Sequence, residues 1–135
     1  MSQEQLFALY MQLTGDLRSL WFAFGGLTVV IAGWLLSRKQ MLRASQRIAL
    51  SIGWLSATGY LGSALTSRYR LLAAVATDIG ALPSQSGIAR AIGEGKGYYE
   101  HASVFVFGAL GAISVAAMVL IWTNVAVQID PSPPK

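Results

Sequence analysis

The 26 residues from Ala102 to Val127 contain no charged side chain. As an α-helix, which rises about 1.5 Å per residue, this run is about 39 Å long. The hydrocarbon core of a bilayer is about 30 Å thick, so the run is long enough to cross a membrane. We therefore expect this helix to lie in lipid and the rest of the chain to pack beside it.

Two further uncharged runs, Ser19 to Ser37 and Ile48 to Ser67, are also long enough to cross a bilayer. Only 12% of the residues are charged, whereas soluble domains contain about 25%. The sequence therefore predicts an all-α integral membrane protein with three transmembrane helices, in which the first and second helices extend beyond the membrane. The expected single membrane domain, 1–135, comprises an N-terminal helix with the first span (2–37), the second span (47–67), its helical extension (68–82), a flexible glycine-rich loop (83–97), the third span (98–127) and a disordered tail (128–135).

The N-terminal segment has the signals of a long helix. Ser2 and Gln5 have the spacing of a capping box. Apolar residues then follow a heptad spacing in two lines: Leu6, Leu13, Leu20 and Leu27, and Tyr10, Leu17, Phe24 and Ile31. This seam predicts nearly one helix from Gln3 to Leu36, projecting from the bilayer and covered by the Leu71–Val75–Ile79 side of the second helix or by a neighbouring subunit. The alternative is a break at Gly15, with the first segment lying on the membrane surface.

A basic cluster follows the first span. Arg38, Lys39, Arg43 and Arg47 lie within ten positions, and no acidic residue lies among them. By the positive-inside rule this cluster is expected in the cytoplasm, with the N-terminus outside and the C-terminus cytoplasmic. Contact with lipid headgroups is a compatible interpretation. The expected location is a bacterial inner membrane.

Small residues recur at helical spacing in the second and third spans. They are Ser56, Gly59, Ser63 and Thr66 in the second span, and Gly108, Gly111, Ala112 and Ala116 in the third. Small residues let helix backbones approach closely in membranes, and hydroxyl groups bond across such contacts. Both sets therefore predict helix-packing faces. An aqueous path lined by the hydroxyl groups of the second span is the alternative.

Residues that could carry chemistry are few. No Asp, Glu, Lys, Arg or His lies inside any of the three uncharged runs, which counts against a proton-coupled transporter or a voltage sensor. Glu100 and His101 precede the third span, but adjacent residues on a helix point about 100° apart and do not easily share one metal ion. The chain has no cysteine and no basic stripe with interleaved aromatic residues. We expect no enzymatic activity, cofactor, metal or nucleic-acid partner.

Two small-residue faces cannot both be covered within a bundle of three helices. We therefore expect an oligomeric scaffold or an accessory subunit of a larger membrane complex. Its partners would be the lipid bilayer and further copies of the chain or other subunits. The alternative is a homo-oligomeric channel whose pore is lined by the second helix.

Overall fold

The computed structural model describes residues 2–38, 40, 42–83 and 86–123, which form four helices. They are α1 (Gln3–Ser37), α2 (Ala44–Gly80), α3 (Gly87–Glu94) and α4 (Lys96–Thr123). Three stretches are helical, long and apolar enough to cross a membrane; the third comprises α3 and α4 together. The predicted all-α membrane fold with three spanning helices is therefore confirmed.

Helix α1 is one uninterrupted helix of 35 residues, about 52 Å long at about 1.5 Å per residue. Ser2 Oγ accepts the Gln5 N–H at 3.3 Å, and Gln5 Oε1 accepts the Ser2 N–H at 2.9 Å. This capping box satisfies two of the donors that a helix N-terminus leaves free. The helix continues through Gly15, so the predicted single helix from Gln3 to Leu36 is confirmed and the alternative break at Gly15 is wrong.

Helix α2 runs antiparallel to α1 and extends the second span at both ends, from Ala44 to Gly80. Beyond the span, Arg68 Nη1 lies 3.3 Å from Asp16 Oδ2. Nearby, Trp21 Nε1 donates to the Tyr69 hydroxyl at 3.2 Å. These polar contacts between aromatic and charged side chains are typical of the membrane–water interface.

The predicted seam on α1 is buried against the extension of α2. Leu6, Leu13, Leu17 and Phe24 are buried, and Tyr10, Leu20, Leu27 and Ile31 are partly buried in the same core. On α2 the covering side contains Leu72, Val75 and Ile79, all buried, whereas Leu71 is 50% exposed. The predicted covering side was therefore wrong at Leu71, because the neighbouring position on a helix points about 100° away.

Helix α4 packs along α2 and makes fewer contacts with α1. Its buried line consists of Ala102, Val106 and Leu110, spaced by four residues. At the opposite end of the bundle, Leu35, Leu42 and Ile121 form a second buried cluster. Helix α2 is therefore the central element of the fold.

The segment 83–97, expected as a loop, is mostly helical. Helix α3 covers Gly87–Glu94, and α4 follows after Gly95. The backbone of α3 lies against that of α2, since a Cβ atom on Gly93 would be 2.8 Å from Gly80 Cα. Glycine here permits close packing of two backbones, and this packing outweighs its low helix propensity.

Some predictions lie outside the described residues. They concern Lys39 of the basic cluster, the end of the third span beyond Thr123, and the tail 128–135.

Candidate helix-binding site

The predicted packing residues of α2 do not form one continuous exposed strip. Ser56, Gly59 and Ser63 are exposed, but Thr66 is buried. The Thr66 hydroxyl donates to the Gly62 carbonyl of its own helix at 2.9 Å. The described part of the chain therefore leaves the first three residues uncovered, whereas Thr66 contributes to the fold of the chain itself.

A close approach between α2 and α4 involves a glycine that the sequence analysis missed. A Cβ atom on Gly62 would lie 3.0 Å from Leu110 Cδ1. Gly62 lies four residues after Thr58 and four before Thr66, and this small-residue series at helical spacing is the signal that indicates it. Two neighbouring faces of α2 thus carry small residues, and α4 covers only one of them.

On α4, all four predicted packing residues are exposed: Gly108, Gly111, Ala112 and Ala116. The buried line of this helix passes through Val106 and Leu110 instead. A small-residue face of α4 is therefore directed away from the core of the chain and towards the surrounding lipid.

Gly59 and Gly111, predicted on separate helices, line one groove of about 260 Å³ between α2 and α4. We call this the α2–α4 groove; it is lined by Leu55, Thr58, Gly59, Gly62, Phe107, Leu110, Gly111 and Ser114. Within the described part of the chain, no heavy atom from a neighbouring element lies within 4 Å of a Cβ position at Gly59 or Gly111. Both glycines therefore leave room that the chain itself does not fill.

Two hydroxyl groups lining the α2–α4 groove have no hydrogen-bond partner among the described residues. They are Thr58 Oγ1 and Ser114 Oγ, and both atoms are buried. By contrast, the Thr28 hydroxyl donates to the Phe24 carbonyl of its own helix at 2.8 Å. Lipid offers no hydrogen bonds within the hydrocarbon region. A hydroxyl group without a partner there therefore costs free energy.

The basic cluster lies at the opposite end of the bundle from α3. The Arg38 guanidinium lies over the Trp34 ring, 4.4 Å from its centroid. Arg47 joins two helices, since it donates to the carbonyls of Leu42 and Trp122 at 3.1 and 2.9 Å. A cation at the C-terminus of α4 also interacts favourably with the helix dipole.

The polar residues near the start of α4 include Tyr99, Glu100 and His101. Glu100 and His101 are exposed, and His101 Nδ1 lies 2.8 Å from the Gly97 carbonyl oxygen. The Tyr10 and Tyr99 hydroxyl groups share a hydrogen bond of 2.8 Å that connects α1 to α4. In the part of the chain that the structure describes, no three His, Cys, Asp or Glu side chains form a group that could hold a metal ion.

No protein-family model, curated protein or solved structure matches this chain.

Proposed function

We propose that this membrane protein is a structural subunit, an oligomeric scaffold or accessory subunit, that binds a transmembrane helix of a neighbouring subunit in the α2–α4 groove. The observation that carries the proposal is the open space at the exposed Gly59 and Gly111, which line the same groove between α2 and α4. Close backbone approach and interhelical hydrogen bonds are the two main sources of helix association in lipid.

A second copy of this chain is the first candidate for the neighbour. Its α4 presents Gly108, Ala112 and Ala116, which are exposed and separated by four residues each. Such a series permits the close approach that a narrow groove requires. Each copy would thus offer both a groove and a small-residue face, which supports association of identical chains.

The test uses two bulky substitutions, Gly59→Leu and Gly111→Leu, with Gly25→Leu as a matched control. Each places the same side chain in a spanning helix, and Gly25 is an exposed glycine on α1, away from the groove. Energy transfer between labelled copies in liposomes reports association. Interhelical contacts in membranes contribute about 0.6–2 kcal/mol each, so we expect each groove variant to weaken association about 3- to 30-fold.

The control variant should associate like the wild type. Helix content from circular dichroism should stay constant in all variants, because both groove positions have open space. Equal association of the groove variants and the control would contradict the proposal. Wild-type chains that do not associate with each other, but co-purify with a larger membrane protein, would identify an accessory subunit. Ion flux through the purified wild type in liposomes would favour the channel alternative instead.

A further inference from the structure

A second cavity lies between α1 and α2, at the end of the bundle that carries the basic cluster. It has a volume of about 510 Å³, within the range of about 300–1,000 Å³ typical of small-molecule sites. We call it the α1–α2 cleft; it is lined by Leu27, Ile31, Trp34, Gln46, Ala49, Leu50, Gly53, Trp54 and Ala57. Apart from Gln46 and the indole N–H groups, this lining is apolar, so an alkyl chain would fit it.

The polar end of the cleft is cationic. Trp34, which lines the cleft, lies under the Arg38 guanidinium, and the buried Arg38 Nη1 has no hydrogen-bond partner among the described residues. On the other wall, Gln46 Oε1 accepts the backbone N–H of Arg43 at 3.0 Å. Arg43 is also the residue that precedes the first turn of α2, where the helix dipole favours an anion.

No carboxylate of the neighbouring sequence neutralises these two arginines. Between Asp16 and Asp78 the chain contains no Asp or Glu. Arg47, the third described cation of the cluster, is held by backbone carbonyls of Leu42 and Trp122. In the described part of the chain, neither Arg38 nor Arg43 forms an ion pair with a carboxylate, so both can bind an added anion.

We propose that the α1–α2 cleft binds one anionic phospholipid, with an acyl chain between α1 and α2 and the phosphate between Arg38 and Arg43. Arginine binds phosphate through two parallel hydrogen bonds, and basic pockets between transmembrane helices recognise anionic headgroups. The apolar walls account for the acyl chain, and the uncompensated arginines account for the charge. This site lies on the other side of α2 from the α2–α4 groove and does not depend on the proposed function.

The test is quenching of tryptophan fluorescence by lipids that carry bromine on their acyl chains. The full chain is reconstituted in phosphatidylcholine liposomes that contain a small fraction of either brominated phosphatidylglycerol or brominated phosphatidylcholine. Trp34 and Trp54 line the cleft, so a bound acyl chain quenches them. We expect stronger quenching by the anionic lipid, because only its net charge complements the two arginines.

Two variants separate the headgroup contribution from the acyl-chain contribution. A surface cation changes the affinity for an anionic headgroup about fivefold, so R38Q/R43Q should weaken the preference for phosphatidylglycerol about 25-fold. R18Q removes an exposed arginine at the other end of the bundle and should leave the preference unchanged. Gly53→Leu should reduce quenching by both brominated lipids, since it fills the cleft at a glycine with open space. Gly25→Leu is its matched control.

Three results would overturn the proposal. They are equal quenching by the two brominated lipids in the wild type, an unchanged preference in R38Q/R43Q, or unchanged quenching in Gly53→Leu. Displacement of the anionic lipid by inorganic phosphate alone would also overturn it, because the site would then recognise a free anion rather than a phospholipid.

Discussion

The contact between Gly80 and Gly93 allows a quantitative prediction about α3. In Gly93→Ala, the new Cβ atom would lie 2.8 Å from Gly80 Cα, whereas ordinary van der Waals contacts of a Cβ atom begin at about 3.4 Å. Helix α3 must therefore move about 0.6 Å or more away from α2. Forced overpacking of this kind typically costs about 1–3 kcal/mol.

Gly87→Ala is the matched control in the same helix. No heavy atom from a neighbouring described element lies within 4 Å of its Cβ position, so this variant gains only the helix preference of alanine over glycine, about 0.5–1 kcal/mol. Because both variants make the same substitution, their difference isolates the contact with Gly80. We expect α3 to be about 1–3 kcal/mol less stable in Gly93→Ala than in Gly87→Ala.

Hydrogen–deuterium exchange of the α3 amides, measured by mass spectrometry in detergent micelles, reports this difference directly. A loss of about 1–3 kcal/mol accelerates exchange about 5- to 150-fold. Exchange in α1 should change little, since α1 does not contain the contact. Equal protection of α3 in the two variants would refute the packing that we describe between α2 and α3.

Three further predictions concern the two ends of the bundle. Asp16→Asn removes a half-exposed ion pair with Arg68 and should lower the free energy of unfolding by about 0.2–1 kcal/mol; a loss that does not shrink at high salt would contradict this. Arg47→Gln removes a donor to the Trp122 carbonyl near the end of α4. Hydrogen–deuterium exchange of the amides at that end should accelerate, while the α3 amides stay protected; unchanged exchange at the end of α4 would refute the contact between Arg47 and α4. Cysteines at Ser45 and Ser86 should react with impermeant reagents from opposite sides, with Ser45 cytoplasmic; labelling of Ser86 from the cytoplasm would reverse the topology.

The long elements of this fold could be predicted because their signals are local. An uncharged run long enough to cross a bilayer predicts a helix by itself, since lipid satisfies no backbone hydrogen bonds. The heptad seam was also informative outside the bilayer, where an apolar stripe has to be covered. The structure buries Leu6 and Leu13 of that seam in the core that α1 shares with α2.

The contacts between helices were harder to predict, because every side of a helix in lipid is apolar. Small residues predicted a packing face on α2, but the pattern did not separate the side at Gly62, which α4 covers, from the side at Gly59, which stays open. Glycines 93, 95 and 97 indicated a loop by propensity. The structure instead has helix through most of this segment, because Gly93 packs on Gly80, a residue distant in sequence.

The most direct measurement of the central claim is the intact mass of the wild-type complex, released from lipid nanodiscs in a mass spectrometer. One chain has a mass of 14.4 kDa. We predict that the wild-type complex contains more than one copy of the chain. In Gly59→Leu and Gly111→Leu, a larger fraction of the protein should have the mass of a single chain. In Gly25→Leu this fraction should stay as in the wild type. A wild-type protein found only as a single chain, with no other protein bound, would contradict the account.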